Sequence, residues 1–113
     1  MHELSLASNL IKSVTDIAKK EQINIIESIT ISLGVLSGVD KESLEFCFPI
    51  ASKNSLLEKS KIIINEIPLK IYCPKCQKET SPDKFEIFCL ICHNDDVEIK
   101  EGKEFKIVSL ETK

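Results

Sequence analysis

The chain has no arginine, only three glycines and four prolines, and no apolar run approaching the roughly 20 residues of a membrane span. So little glycine and proline argues against disorder, a collagen-like repeat and long flexible linkers. Because all fifteen basic residues are lysines, the bidentate guanidinium contacts typical of duplex readers are missing. The net charge is −3 and the isoelectric point near 5.4, which also counts against nucleic acid as the main partner. The N-terminus lacks the basic-then-apolar pattern of a signal peptide, so the expectation is a soluble cytoplasmic protein without a membrane association.

The 113 residues are 42% apolar and 29% charged. That length suits one domain, or a small domain carrying a smaller module, and buries roughly two-thirds of the surface of the unfolded chain. Such a core is thin, and a structural metal would support it.

Leu6, Leu10, Ile11, Val14, Ile17 and Ala18 recur at helical spacing and predict an amphipathic helix over residues 5–20, with Lys19 and Lys20 complementing its C-terminal dipole. From Ile23 the period changes to two. Ile23, Ile25, Ile29, Ile31, Leu33 and Val35 alternate with mostly polar residues, as in a half-buried strand, and Gly34, Ser37 and Gly38 mark a turn after it. Asp40 is a candidate N-cap for a second helix over 41–52, with Pro49 as an obstacle inside it costing about 3 kcal/mol. Residues 61–67 and 104–110 read as two further strands. The expected fold class is α+β: a small antiparallel sheet with two helices and an inserted zinc-ribbon-like module. The domain division would be 1–70 with 104–113, and 71–103 for the module.

That module holds four of the five cysteines. Cys73-Pro-Lys-Cys76 and Cys89-Leu-Ile-Cys92 are separated by twelve residues, 77–88. Structural disulfides are rare in the cytosol, so clustered cysteines read first as metal ligands. Two such knuckles, with the intervening segment folded back as a hairpin, place four thiolates around one structural Zn²⁺. A closed four-thiolate site leaves no open position for catalysis. His93 comes directly after Cys92 and is read as a surface residue, a donor to a thiolate, or an alternative zinc ligand. Cys47, between Phe46 and Phe48, is read as a buried apolar cysteine.

The start Met1-His2-Glu3 is the other unusual feature. A side chain as large as histidine at position 2 should block removal of the initiator methionine, leaving the amine on Met1. His2 offers an imidazole nitrogen and a backbone nitrogen that can lose its proton. With the Met1 amine or the Glu3 backbone nitrogen, these form fused chelate rings. A near-planar, all-nitrogen set suits Ni²⁺ or Cu²⁺ and not Zn²⁺. Glu3 and Asp40 are candidates to add carboxylate oxygens. Every ligand must be deprotonated, so affinity should fall in acid.

MHE-L-S-L leading into an amphipathic helix, then CPxC and a second CxxC at residues 73–92, resembles the HypA/HybF hydrogenase maturation factors over the whole chain. The resemblance implies a non-enzymatic nickel metallochaperone. Ni²⁺ would be its cargo, held by His2 with main-chain nitrogens of His2 and Glu3, and Asp40 would stand where an acidic residue is sometimes involved. Zn²⁺ would be held by Cys73, Cys76, Cys89 and Cys92. The implied partners are a maturation GTPase and the large subunit of [NiFe]-hydrogenase, with urease accessory proteins as further candidates; the chain would act as a monomer or homodimer. One departure is that no histidine comes after the first knuckle, so a symmetric two-histidine exchange of zinc ligands is not open to this chain. The competing class is a zinc-ribbon interaction module of a nucleic-acid-processing complex, with Lys70, Lys75, Lys78 and Lys84 near the module but offset by Glu79, Asp83 and Glu86. No Gly-rich phosphate loop or Ser/His/Asp set points to an enzyme.

Overall fold

Along the first helix the buried side chains are Ala7, Leu10, Ile11, Val14 and Ala18, a stripe at spacings of three and four. In the computed structural model, which describes residues 2–112 apart from the side chain of His2, this helix is α1, His2–Lys20. It starts earlier than the apolar pattern alone requires, with Glu3 as the acidic residue of its first turn. Its end explains why the next strand starts late. Gln22 adopts a left-handed conformation (φ 58), the Ile23 N–H bonds to the Ala18 carbonyl at 2.8 Å, and the Gln22 N–H bonds to that of Lys19 at 3.4 Å. This double closure caps the helix C-terminus. Ile23 is therefore spent on the cap, and β1 is Ile26–Gly34.

β1 is not half-buried as its alternation suggested. Ser28, Ile29, Ile31, Ser32 and Leu33 are all buried, because β1 is the central strand of a three-stranded sheet ordered β2-β1-β6. The outer strands β2 (Lys61–Ile67) and β6 (Phe105–Thr112) alternate between exposed and half-buried residues. β1 and β2 run in the same direction: the Ser60 hydroxyl donates to the Ile26 carbonyl at one end, and the Val35 N–H to the Ile67 carbonyl at the other. A parallel pair needs a crossover, and the second helix supplies it. β6 is antiparallel to β1, since the Gly34 N–H reaches the Glu104 carbonyl and the Leu36 N–H that of Gly102, each at 2.7 Å. The first sheet is thus mixed.

The second helix, α2, is Lys41–Ser52. Asp40 caps it, accepting the Ser43 N–H at 3.0 Å. Leu44, Cys47, Phe48 and Ser52 are buried on one side, and α2 packs against α1. Pro49 is inside the helix but exposed, as is Glu45 four residues before it. The carbonyl that loses its helical partner therefore lies on the solvent side, where water can satisfy it.

The chain divides into two compact units. The first comprises Met1–Ile31, Val39–Ile64 and Ile107–Lys113; the second comprises Ser32–Gly38 and Asn65–Lys106. The first unit has both helices and most of the apolar core. The second is built on an antiparallel sheet ordered β4-β3-β5, formed by β3 (Lys70–Cys73), β4 (Lys78–Thr80) and β5 (Glu98–Glu101). Ile71 faces Thr80 on one side and Ile99 on the other. Leu69, Ile71, Cys73 and Cys89 are at most 2% exposed, a core too small to be stable unaided. No helix among the described residues is long and apolar enough to cross a membrane.

Candidate metal centres

The four cysteines of the second unit converge. Their Sγ atoms all lie within 4.8 Å of one another, with Cys73 to Cys92 at 3.6 Å and Cys76 to Cys89 at 3.8 Å. Four sulfurs each about 2.3 Å from a single zinc ion stand about 3.8 Å apart at the corners of a tetrahedron. These two sulfur pairs match that spacing, and the four thiols together suit Zn²⁺. Cys73 and Cys89 are buried, Cys76 is half-buried and Cys92 is exposed, so one side of the cage meets solvent.

The backbone explains the convergence. Cys73 ends β3, and the chain reverses through Pro74–Gln77 into β4, so the tight hairpin of this unit runs through the first knuckle itself. The expected hairpin between the knuckles is replaced by an irregular segment after Thr80. Gln77 and His93 occupy equivalent places. Each comes directly after the second cysteine of its pair, each is left-handed (φ 54 and 63), and each donates its N–H to the carbonyl of the first cysteine, at 2.7 and 2.8 Å. The His93 ring meets Phe88 edge-on, at 5.5 Å between centroids.

Backbone donors prepare the sulfurs for negative charge. The Cys76 N–H, helped by the Asn94 side-chain amide at 3.7 Å, holds the Cys73 thiol down at about 6. The Cys89 thiol is also lowered, first by the Cys92 N–H and then by that of Ile91, which lies 3.4 Å from the sulfur. Cys76 is pushed the other way, up to about 12, by its contact with Cys92 and by burial. Crowded sulfurs cannot all ionise unaided, and a dication among them removes that conflict. Asn94 is the site residue the sequence did not reveal. An Asx turn, in which its Oδ1 accepts the Asp96 N–H at 3.2 Å, orients its amide.

Two lysines on this sheet, Lys70 and Lys100, are matched by carboxylates. Lys70 lies 4.0 Å from both Glu79 and Glu101, and Lys100 lies 3.0 Å from Glu98.

The second group of candidate ligands belongs to the first unit. Met1 and the His2 side chain are outside the described residues, but α1 begins at His2. The first four N–H groups of an α-helix have no intrahelical acceptor, and those of His2 and Glu3 are among them. The Glu3 carboxylate accepts the Asp40 N–H at 3.4 Å, so two of the sequence-derived candidates meet. The Asp40 carboxylate is engaged through Oδ2, which accepts from the Ser43 N–H at 3.0 Å and the Ser43 hydroxyl at 2.7 Å. Cys47 is 7% exposed, in keeping with an apolar role.

Comparison with known proteins gives one family along nearly the whole chain. Residues 1–112 match the family described as hydrogenase/urease nickel incorporation, metallochaperone, HypA. The hydrogenase maturation factor HypA of Chloroflexus aurantiacus is 34% identical over 113 residues, covering 99% of both chains. That of Moorella thermoacetica is 36% identical over 107 residues, 95% of each. Among solved structures, the Ni metallochaperone HypA from Helicobacter pylori superposes with a TM-score of 0.67 at 31% identity, over 99% of this chain and 97% of that one. A second HypA solution structure gives 0.73 at 29% identity, covering 99% and 96%. The chain belongs to the HypA family of nickel-incorporation metallochaperones for hydrogenase maturation.

Proposed function

We propose that this chain carries Ni²⁺ at its N-terminus and delivers it for maturation of [NiFe]-hydrogenase, while a separate zinc ion held by Cys73, Cys76, Cys89 and Cys92 keeps the second unit folded. The nickel ligands in this reading are the imidazole and backbone nitrogens of His2, joined by the Met1 amine or the Glu3 backbone nitrogen. The start of α1 at His2 is the observation that carries it. An amide nitrogen can bind a metal only by giving up its proton, and in mid-helix that would break an i→i−4 bond. Here both nitrogens belong to the first turn, so binding sacrifices no helical hydrogen bond. A set of imidazole and main-chain nitrogens suits Ni²⁺ and leaves Zn²⁺ to the thiolates. Glu3 and Asp40 position the turn, and either carboxylate can add an oxygen ligand. The partner in transfer is a maturation GTPase and the recipient the hydrogenase large subunit. Urease accessory proteins are the second candidate client, in line with the family description. None of the steps asks the chain to catalyse a reaction.

Nickel titration of zinc-loaded protein with a native N-terminus tests the reading. His2→Ala should abolish tight nickel binding, and Cys92→Ser should leave it in place. Nickel bound equally well by His2→Ala, or an absorption spectrum with nickel in a sulfur shell, would overturn it.

A further inference from the structure

We propose that the groove between the first turn of α1 and the outer ridge of α2 is the docking site for a cationic amphipathic helix of a partner protein. The groove encloses about 370 Å³ within the first unit, and its lining includes Glu3, Leu4, Glu42, Phe46 and Ile50. Glu42, Phe46 and Ile50 are four residues apart in succession, so they form one ridge of α2. Phe46 is 72% exposed, Ile50 54% and Leu4 38%, a cluster of large apolar side chains for which the core of this unit has no use. A helix laid into such a groove meets it with apolar residues at i, i+4 and i+7.

Charge decides between occupants. The lining of the groove includes the acidic residues Glu3, Asp40 and Glu42, and none of the described residues lining it is basic. A second copy of the chain, docked face to face, would bring two such acidic rims together at a cost in like-charge repulsion. A purely apolar segment would cover the exposed Glu42 carboxylate without offering it a countercharge. Lysine or arginine beside an apolar stripe satisfies both features. Glu3 also lies in the turn proposed to hold nickel, so the occupant would sit beside the cargo; only that link rests on the nickel reading.

The test uses the full, zinc-loaded, nickel-free chain and two synthetic helical peptides. Both carry leucines at i, i+4 and i+7. One has lysines flanking the stripe at one end, and the other has glutamates in their place. The lysine peptide should perturb the amide signals of residues 3–4 and 42–50, and the glutamate peptide should bind at least about tenfold more weakly. Phe46→Ser, at a solvent-exposed position that leaves the fold intact, should weaken the lysine peptide by about tenfold or more, as expected for a central apolar anchor. Glu42→Gln should narrow the gap between the two peptides. Equal binding of both peptides, perturbations centred elsewhere, or a Phe46→Ser affinity within twofold of the parent would overturn the proposal. So would sedimentation showing a dimer of the parent chain that Phe46→Ser dissolves. His2→Ala should leave the peptide affinity unchanged, and Phe46→Ser should leave nickel binding unchanged. If His2→Ala binds nickel normally, the cargo reading fails while the groove stands.

Discussion

The Glu3 carboxylate accepts the backbone N–H of Asp40 at 3.4 Å, tying the first turn of α1 to a residue 37 positions later. Asp40 in turn places its own carboxylate over the start of α2, where Oδ2 accepts both Ser43 donors. Two acidic residues that the sequence suggested as nickel ligands are therefore joined through a backbone amide and a helix cap. Their proximity organises the N-terminal turn whether or not either oxygen touches a metal.

This separates two substitutions at one position. Asp40→Asn keeps an oxygen to accept the Ser43 N–H, whereas Asp40→Ala removes the cap and should cost about 1 kcal/mol of stability. If Asp40 acts by positioning, the Asn variant should bind nickel as the parent does and the Ala variant more weakly. Chemical denaturation paired with nickel titration of both variants is the check. An Asn variant that keeps its stability but loses nickel would make Asp40 a direct ligand.

Zinc removal should have a local effect. The second unit has few fully buried apolar side chains, and two of its most buried residues, Cys73 and Cys89, are themselves in the sulfur cage. A chelator, or Cys89→Ser, should collapse the dispersed amide signals of residues 70–101 while the α1 and α2 signals persist, because those helices share a separate apolar core. Elemental analysis of the parent should find one zinc per chain. Retention of the β3–β4–β5 signals in zinc-free protein would show that the unit is held together by something else.

The start of α2 and the end of β2 were legible in the sequence, because each of these boundaries has a local chemical cause. Asp40 can cap only a helix that begins at the next residue, and β2 ends at the residue before Pro68, which cannot donate to a ladder. The cysteine cage was legible for the same reason: ligand spacing is a short-range property. The start of β1 was not, because Ile23 fits a strand alternation and a helix C-cap equally well, and the choice falls to Gln22 adopting a positive φ. The strands of the second unit, three or four residues each, are too short to show a period. The equivalence of Gln77 and His93 lies in the backbone and cannot be read from two such different side chains. The tie between Glu3 and Asp40 is a long-range contact, invisible to any window along the chain.

Glu104 gives a pH-dependent term of known sign. Its Oε1 accepts the Gly102 N–H at 2.6 Å, and this bond is the first cause holding its carboxyl below the ordinary value of 4.5. A carboxyl lowered on folding contributes its full stability above the ordinary value, and that contribution disappears as pH falls through the lowered one. The parent should therefore lose stability on acidification below about pH 4.5 more steeply than Glu104→Gln, whose amide does not titrate, once the contributions common to both are subtracted. Denaturation curves at a series of pH values for the two proteins measure this. Parallel curves would mean that the bond is absent in solution.

The glycines at positions 34 and 38 should respond oppositely to their conformations. Gly38 has φ +80, yet nothing lies within 4 Å of where a Cβ would stand. Gly38→Ala should therefore cost only the backbone penalty of a left-handed alanine, about 1 kcal/mol. Gly34 has no such conformational demand, but a Cβ there would collide with the carbonyl carbon and oxygen of Gly102 and come within 2.7 Å of the Lys103 nitrogen. The obstacle is backbone, and it is pinned: the Gly102 carbonyl accepts the Leu36 N–H, and the Gly102 N–H is held by Glu104. Neither neighbour can rotate away as a side chain would. Gly34→Ala should cost several times more than Gly38→Ala, in the range of about 4 kcal/mol that marks a severe lesion. A stability comparison of the two single variants decides the point. If they are destabilised equally, the close approach of Gly34 to Gly102 is not part of the folded protein in solution.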